Sequence, residues 1–299
     1  MRIGNSFHLY ASLTILFWSL AYVLTRMILR YFTPFSLGFL RYAAASCVLL
    51  AMVFAAKIKA PKRIDLKWFL MSGFFGFFLY MMAFNKGCET ATASASSVVI
   101  ATVPVITALL ARLVFGEKLN GLQWVATAVE FVGVLVLMLL NQAFSLNTGL
   151  VWLLLAAVSL SVYNLLQRGL TKTYSGLQSA AFSIFSGTAM LAVFLPASVR
   201  EAGNAPPVQL AYIAILGVFS SAVAYASWAQ ALKKAKRTSS VTNYMFATPF
   251  LTTLMGFVLA GEKPDLPTIA GGAVILAGML IFYFGGMVHD RVFRSKRTI

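Results

Sequence analysis

Residues 74–135 run in ungapped register with residues 219–280, at a constant offset of 145. Phe74/Phe219, Tyr80/Tyr225, Ser94/Ser239, Pro104/Pro249, Thr107/Thr252 and Leu109/Leu254 match. Gly116-Glu117-Lys118 recurs as Gly261-Glu262-Lys263, followed by Ala128/Ala273, Val129/Val274, Gly133/Gly278 and Leu135/Leu280. The chain is therefore two copies of one roughly half-length unit, residues 1–145 and 146–299. Both copies are apolar throughout, so the repeat is a membrane repeat. A duplicated unit with an odd number of spans must insert its copies in opposite orientations. That arrangement belongs mainly to secondary transporters.

Composition fixes the solvent. Of 299 residues, 60% are hydrophobic and 11% charged, more apolar surface than a soluble protein of this size can hide. The formal charge of +16 does not point to nucleic acid, because the basic residues cluster between hydrophobic segments. The 2 cysteines, Cys47 and Cys88, do not form a disulfide framework. Ten apolar stretches of bilayer-spanning length are expected: 9–29, 35–56, 68–87, 94–115, 122–141, 148–168, 177–198, 208–232, 239–260 and 267–287. The fold expected is all-α, ten transmembrane helices in two inverted five-helix repeats around a central cavity. The first stretch follows Arg2 and precedes no small-residue cleavage site, so it reads as a retained helix.

Arg26, Arg30, Lys86, Arg200 and Lys263 fall on one side of this arrangement and Arg41 within a span. The other 18 of the 24 Lys and Arg residues fall on the opposite side, with both termini. The asymmetry places the termini in the cytoplasm.

The ten spans, with Pro104…Gly116-Glu117 and Pro249…Gly261-Glu262, resemble EamA-type members of the drug/metabolite transporter superfamily. Trp18-Ser19 in span one and Arg41-Tyr42 in span two match that family's habit. The resemblance covers essentially the whole chain. It implies a multi-pass protein of the bacterial inner membrane that carries small metabolites, amino acids or their analogues, by alternating access. Export is the direction it implies.

Polar and aromatic residues inside spans are the candidates for chemistry, since lipid offers them no partners. Thr14, Trp18, Tyr22 and Thr25 share one face of span one; Ser159, Tyr163 and Gln167, with Asn164 beside them, make a similar face in span six. Trp18 and Tyr163 lie too near mid-span for an interfacial belt. Tyr80 and Phe84 in span three answer Ser221, Tyr225 and Trp228 in span eight, while Gly73 and Gly76 allow close helix approach. Span nine carries Asn243-Tyr244 where its partners are Val98-Val99, an asymmetry that suits an asymmetric substrate. The substrate-binding set expected is Trp18, Tyr22, Tyr80, Tyr163, Asn164, Tyr225, Trp228, Asn243 and Tyr244. Interhelical hydrogen bonding is the competing role for several of them.

Arg41 and Glu130 are the possible charge or coupling residues. Arg41 either snorkels to the headgroups or binds an anion. Glu130, the one carboxylate at a span centre, has Ile275 as its repeat partner. It binds a cationic substrate, carries a coupling proton or pairs with a base such as Arg41; in the resembled family its helix is peripheral, which favours a structural role. Glu117 and Glu262 read as helix-start caps. Pro104 and Pro249 break spans four and nine, as hinges or as fixed bends.

His8 and His289 lie near the ends and assemble no metal site with the cysteines, and no nucleotide-binding loop occurs. No cofactor and no nucleic-acid partner are expected; the partners are a small-molecule substrate and the lipid bilayer, with the chain as monomer or homodimer. The rival classes are a polytopic enzyme acting on lipid or prenyl substrates, and a lipid scramblase or sensor. The first needs a catalytic constellation at one membrane face, and none is visible in the sequence.

The topology is directly testable. A reporter active only in the cytoplasm should work when fused after Ile299 and fail when inserted near Asn147. Activity near Asn147 would overturn the inverted arrangement.

Overall fold

The structure, a computed structural model, describes residues 7–116, 120–140, 148–235 and 238–295. Every regular element among them is helical. The first half holds α1 (Phe7–Ile28), α2 (Pro34–Ala55), α3 (Arg63–Thr90) and α4 (Ala93–Val114). It ends with α5 (Gly121–Leu140). The second half holds α6 (Thr148–Leu170), α7 (Gly176–Asn204), α8 (Pro207–Lys234) and α9 (Ser240–Ala260), then α10 (Leu266–Ser295). The eight helices other than α5 and α10 are each long and apolar enough to cross a membrane. α5 and α10 fall on the fifth and tenth apolar stretches of the sequence. Large apolar side chains cover the outside: Phe54, Leu113, Phe250 and Phe257 are all more than half exposed. Only lipid makes such a surface stable.

The helix ends follow local chemistry. Thr33, Thr92 and Ser175 cap α2, α4 and α7 by accepting from the backbone N–H three residues on. Asn120 and Gln123 bond reciprocally at the start of α5, at 2.9 and 3.0 Å. α4 and α9 both end at a left-handed glycine, Gly116 and Gly261, with φ of 67° and 64°. These two glycines are repeat partners.

The main helix pairings recur when the halves are exchanged. α1 lies on α8 and α9, as α6 lies on α3 and α4. α2 crosses α8 as α7 crosses α3, and α2·α7, α4·α9 and α5·α10 are self-paired. Individual atoms repeat the pattern. A Cβ on Gly73 would stand 2.8 Å from Gly187 N and 2.9 Å from Ser183 O; one on Gly217 would stand 3.2 Å from Ala45 N and 2.9 Å from Arg41 O. Each glycine lies at the start of a π-helical turn, Phe74–Leu79 in α3 and Leu216–Val223 in α8. The extra residue in such a turn shifts the hydrogen-bond ladder and leaves carbonyls open to outside donors. Ser159 Oγ donates to Phe75 O within the α3 π turn at 2.8 Å, and from the α8 π turn Ser220 Oγ donates to Phe17 O of α1 at 2.8 Å.

These crossings leave no space for a methyl group. Gly73→Ala and Gly217→Ala should each destabilise the protein by about 1–3 kcal/mol through overpacking. Gly203→Ala, with nothing near its Cβ, should be neutral or slightly stabilising. Thermal unfolding of the detergent-purified variants measures the difference.

Candidate functional site

Where α1, α3, α6 and α8 meet, their aromatic side chains form one continuous cluster. Trp18 of α1 lies 5.0 Å from Tyr225 and 4.9 Å from Trp228, both on α8. Tyr225 contacts Phe77 of α3 at 4.9 Å and Tyr163 of α6 at 5.7 Å. Phe77 also meets Tyr163 and Tyr42, each at 5.1 Å. Towards one end, Phe84 joins Tyr22 at 5.2 Å and Tyr80 at 5.5 Å. Gly76 makes this possible, because a Cβ there would stand 2.2 Å from the Tyr163 ring. All these rings are buried.

The cluster is short of hydrogen-bond acceptors. Trp228 Nε1 donates to Asn164 Oδ1 at 2.9 Å. Trp18 Nε1, Tyr163 OH and Asn164 Nδ2 are buried without a partner among the described residues. A buried donor left unpaired costs free energy, so such atoms mark a place where something else can bind.

Arg41 of α2 completes the group. It is 3% exposed, so it does not snorkel. Its Nε donates to Ser221 Oγ at 2.7 Å, its Nη2 reaches Ser220 O at 3.4 Å, and it sits 5.7 Å from the Tyr42 ring centroid. Ser220 and Ser221 both lie in the π turn of α8. Tyr22, Tyr42, Tyr80 and Tyr225 lie within electrostatic range of the guanidinium. No acid pairs with it among the described residues, where the ion pairs are Arg26–Glu262 and Lys86–Glu89. Glu130 in particular is not its partner.

Of the residues expected from the sequence, Trp18, Tyr22, Tyr80, Tyr163, Asn164, Tyr225 and Trp228 come together. Tyr244 does not: it stands against Phe7 and His8, at the first turn of α1. Asn243 begins the short 3-10 turn Asn243–Ala247 in α9; its side chain lies outside the described residues. Gln167 is fully occupied, bonding Ser72 and Ser183 through Nε2 and Ser179 through Oε1. Both prolines follow breaks. Val103–Phe115 restarts α4 with Pro104 in its first turn, and Thr248–Ala260 restarts α9 with Pro249 there. Phe77 escaped sequence reasoning because its repeat partner is Ala222 and nothing polar marks it; Gly76 beside it was the available signal.

One end of the bundle carries charge. Arg26, Arg30, Glu89, Thr92, Glu262 and Lys263 line a cleft of about 570 Å³ with Leu29. Glu262 caps a helix there, but not the one it precedes. Its Oε2 accepts from Ala93 N at 2.9 Å, at the start of α4, and Oε1 lies 3.7 Å from Arg26. Arg26 also donates to the carbonyls of Cys88 and Glu89 that end α3. Arg168 does the same for Leu232 and Ala235 at the end of α8. Glu117 lies outside the described residues.

The model of the "EamA-like transporter family" matches this chain twice, over residues 5–139 and 147–284. The chain belongs to that family. An "Uncharacterized transporter YdfC" of Bacillus subtilis is 28% identical over 94% of this chain and 92% of its own length. A "Probable terminal-alkyne amino-acid exporter" of Streptantibioticus cattleyicolor is 29% identical over 90% of each chain. An "S-adenosylmethionine uptake transporter" of Rickettsia prowazekii is 26% identical over 84% of this chain and 83% of its own. A crystal structure of another protein, 19% identical, shares the fold with a TM-score of 0.66 over 93% of this chain and 96% of that one. This EamA-like chain is thus a multi-pass membrane protein of a transporter family, and family and relatives alike speak for a carrier over an enzyme.

Arg41 gives a sharp stability test. A buried guanidinium with no acid beside it among the described residues carries a desolvation cost that its bonds to Ser221 Oγ and Ser220 O offset only in part. Arg41→Met should leave thermal stability of the substrate-free protein within about 1 kcal/mol of the parent, or raise it. A loss of several kcal/mol would assign Arg41 to the scaffold.

Proposed function

We propose that this EamA-like chain is a secondary transporter of small amphipathic metabolites bearing a carboxylate, with amino acids and their analogues as the leading class. The observation that carries the reading is Arg41, a buried cation beside an aromatic cluster and with no acid paired to it among the described residues. A carboxylate supplies the missing countercharge, and the guanidinium fork matches it bidentately. Trp18 Nε1 and Asn164 Nδ2 add donors, and the rings of Trp18, Tyr225 and Trp228 suit an apolar side chain. Two relatives support the class, an amino-acid exporter and a carrier of S-adenosylmethionine, which contains an amino-acid group.

The mechanism follows from the exchange of halves. Ten spans in two inverted units, with both termini cytoplasmic in the inner membrane, place equivalent paths on the two sides. The aromatic cluster is packed shut, so admission of substrate requires the halves to part along the α1·α8 and α3·α6 seams. The breaks before Pro104 and Pro249 serve as pivots. Direction follows the gradients of substrate and of any coupled ion; the named relatives include both an exporter and an uptake carrier.

Proteoliposomes test this. Labelled amino acids should exchange across the membrane, while the corresponding decarboxylated amines should not. Arg41→Gln should lower substrate affinity by about ten- to a hundredfold, the value of a charge-assisted bond of 1.5–3 kcal/mol. Trp18→Ala or Trp228→Ala should raise the apparent substrate constant with expression unchanged. Equal flux of amines and amino acids, together with an unaffected Arg41→Gln, would overturn the proposal.

A further inference from the structure

Glu130 lies on α5, away from the aromatic cluster, and is 2% exposed. Neither carboxyl oxygen has a hydrogen-bond partner among the described residues. The crossing of α5 and α10 shows why packing does not explain it. A Cβ on Gly133 of α5 would stand 2.6 Å from Ile275 Cγ1, and a Cβ on Gly278 of α10 would stand 2.6 Å from Glu130 Cγ. Gly133 and Gly278 are repeat partners, and so are Glu130 and Ile275. The same crossing is thus made twice, once over isoleucine and once over glutamate. An aliphatic side chain fills the place equally well, so the carboxyl group is an addition that the packing does not require.

The surroundings decide its chemistry. Glu130 borders a cavity of about 30 Å³ with Thr102, Val105, Ile106, Phe131 and Leu154. From α4, α6 and α10 it therefore faces Thr102, Val105, Ile106, Leu154 and Gly278, and none of these titrates. Among the described residues no cation offsets a charge there, and an unpaired carboxylate in such surroundings is much less stable than the neutral acid. Thr102 sits at the break in α4, just before Pro104. The cavity has room for about one water.

We propose that Glu130 is a proton-binding site coupled to the movement of α4, a reading that rests on the transporter function given above. In the closed bundle the side chain is the neutral acid. When α4 turns at its break, water enters beside Thr102. The carboxyl O–H bond then breaks, its electron pair stays on the carboxylate, and the proton passes to water as hydronium. Reprotonation from the other side completes a cycle that links the proton gradient to substrate movement.

Two measurements on the full-length protein test this, and the first does not depend on transport. Infrared difference spectra of the parent against Glu130→Gln at neutral pH should show the carbonyl band of a protonated carboxylic acid, slow to shift in D2O. A carboxylate band in its place would overturn the assignment. In proteoliposomes, folded Glu130→Gln should keep substrate exchange and lose proton-driven accumulation. Retained accumulation, or loss of exchange together with accumulation, would sink the coupling role. If Glu130→Gln does not fold, Glu130→Ile, which copies the repeat partner, is the substitute in both assays. Absence of any substrate flux in the parent would defeat the transporter reading, while the infrared band would still report on the acid.

Discussion

Every backbone polar group in this bundle needs a partner from the protein, because the hydrocarbon around it supplies none. Helices meet most of that demand. What organises the structure is how the rest is met, at π turns, pre-proline breaks and helix ends. There, donors and acceptors come from elsewhere in the fold, often from the other half. Ser159 serves the carbonyl of Phe75, and Arg41 serves that of Ser220. Arg26 and Arg168 close the ends of α3 and α8. Glu262, from the second half, caps α4 of the first. Glu201 on α7 accepts from Thr33 N at the start of α2. The bonds that join the halves, Ser159 to Phe75, Arg41 to Ser220, Glu262 to Ala93 and Glu201 to Thr33, break if the halves move apart unless others take their place. They are therefore both the glue of one conformation and the features that must change for a carrier to turn over.

The centre of the molecule joins rigidity to incompleteness. Glycines at the crossings bring helices close enough for the rings of Phe77, Tyr163 and Tyr225 to interlock. Among those rings, and among the described residues, remain donors with nothing to donate to and a cation with no anion. A scaffold selected for stability alone would fill these positions with apolar side chains. Their presence is the physical case for a ligand with acceptor oxygens.

Function also shows in where the halves differ. Symmetry of packing asks for similar volumes at paired sites, not similar chemistry. Glu130 faces Gly278 as Ile275 faces Gly133. Arg41 occupies at the α2·α8 crossing the place of Ser183 at the α7·α3 crossing. A carrier needs two symmetric paths but handles one asymmetric cargo, so chemistry can differ between halves while packing cannot.

The sequence alone determined the fold class, the helix positions and the duplication, because apolar length and an ungapped repeat are local properties that survive without coordinates. It also marked Trp18, Tyr163, Tyr225 and Trp228, since aromatic and polar residues at mid-span have few places to go. Tertiary structure decided what helical spacing leaves open, namely which faces meet and at what depth. It sent Tyr244 to the first turn of α1, filled the hydrogen bonds of Gln167, added Phe77 to the cluster and separated Arg41 from Glu130. It also turned Glu262 from a cap on its own helix into a cap on α4. Those outcomes depend on crossing points set by Gly73, Gly76 and Gly217 and on the one-residue shift of each π turn. Both arise from contacts between segments far apart in the chain, and periodicity along a single helix does not encode them.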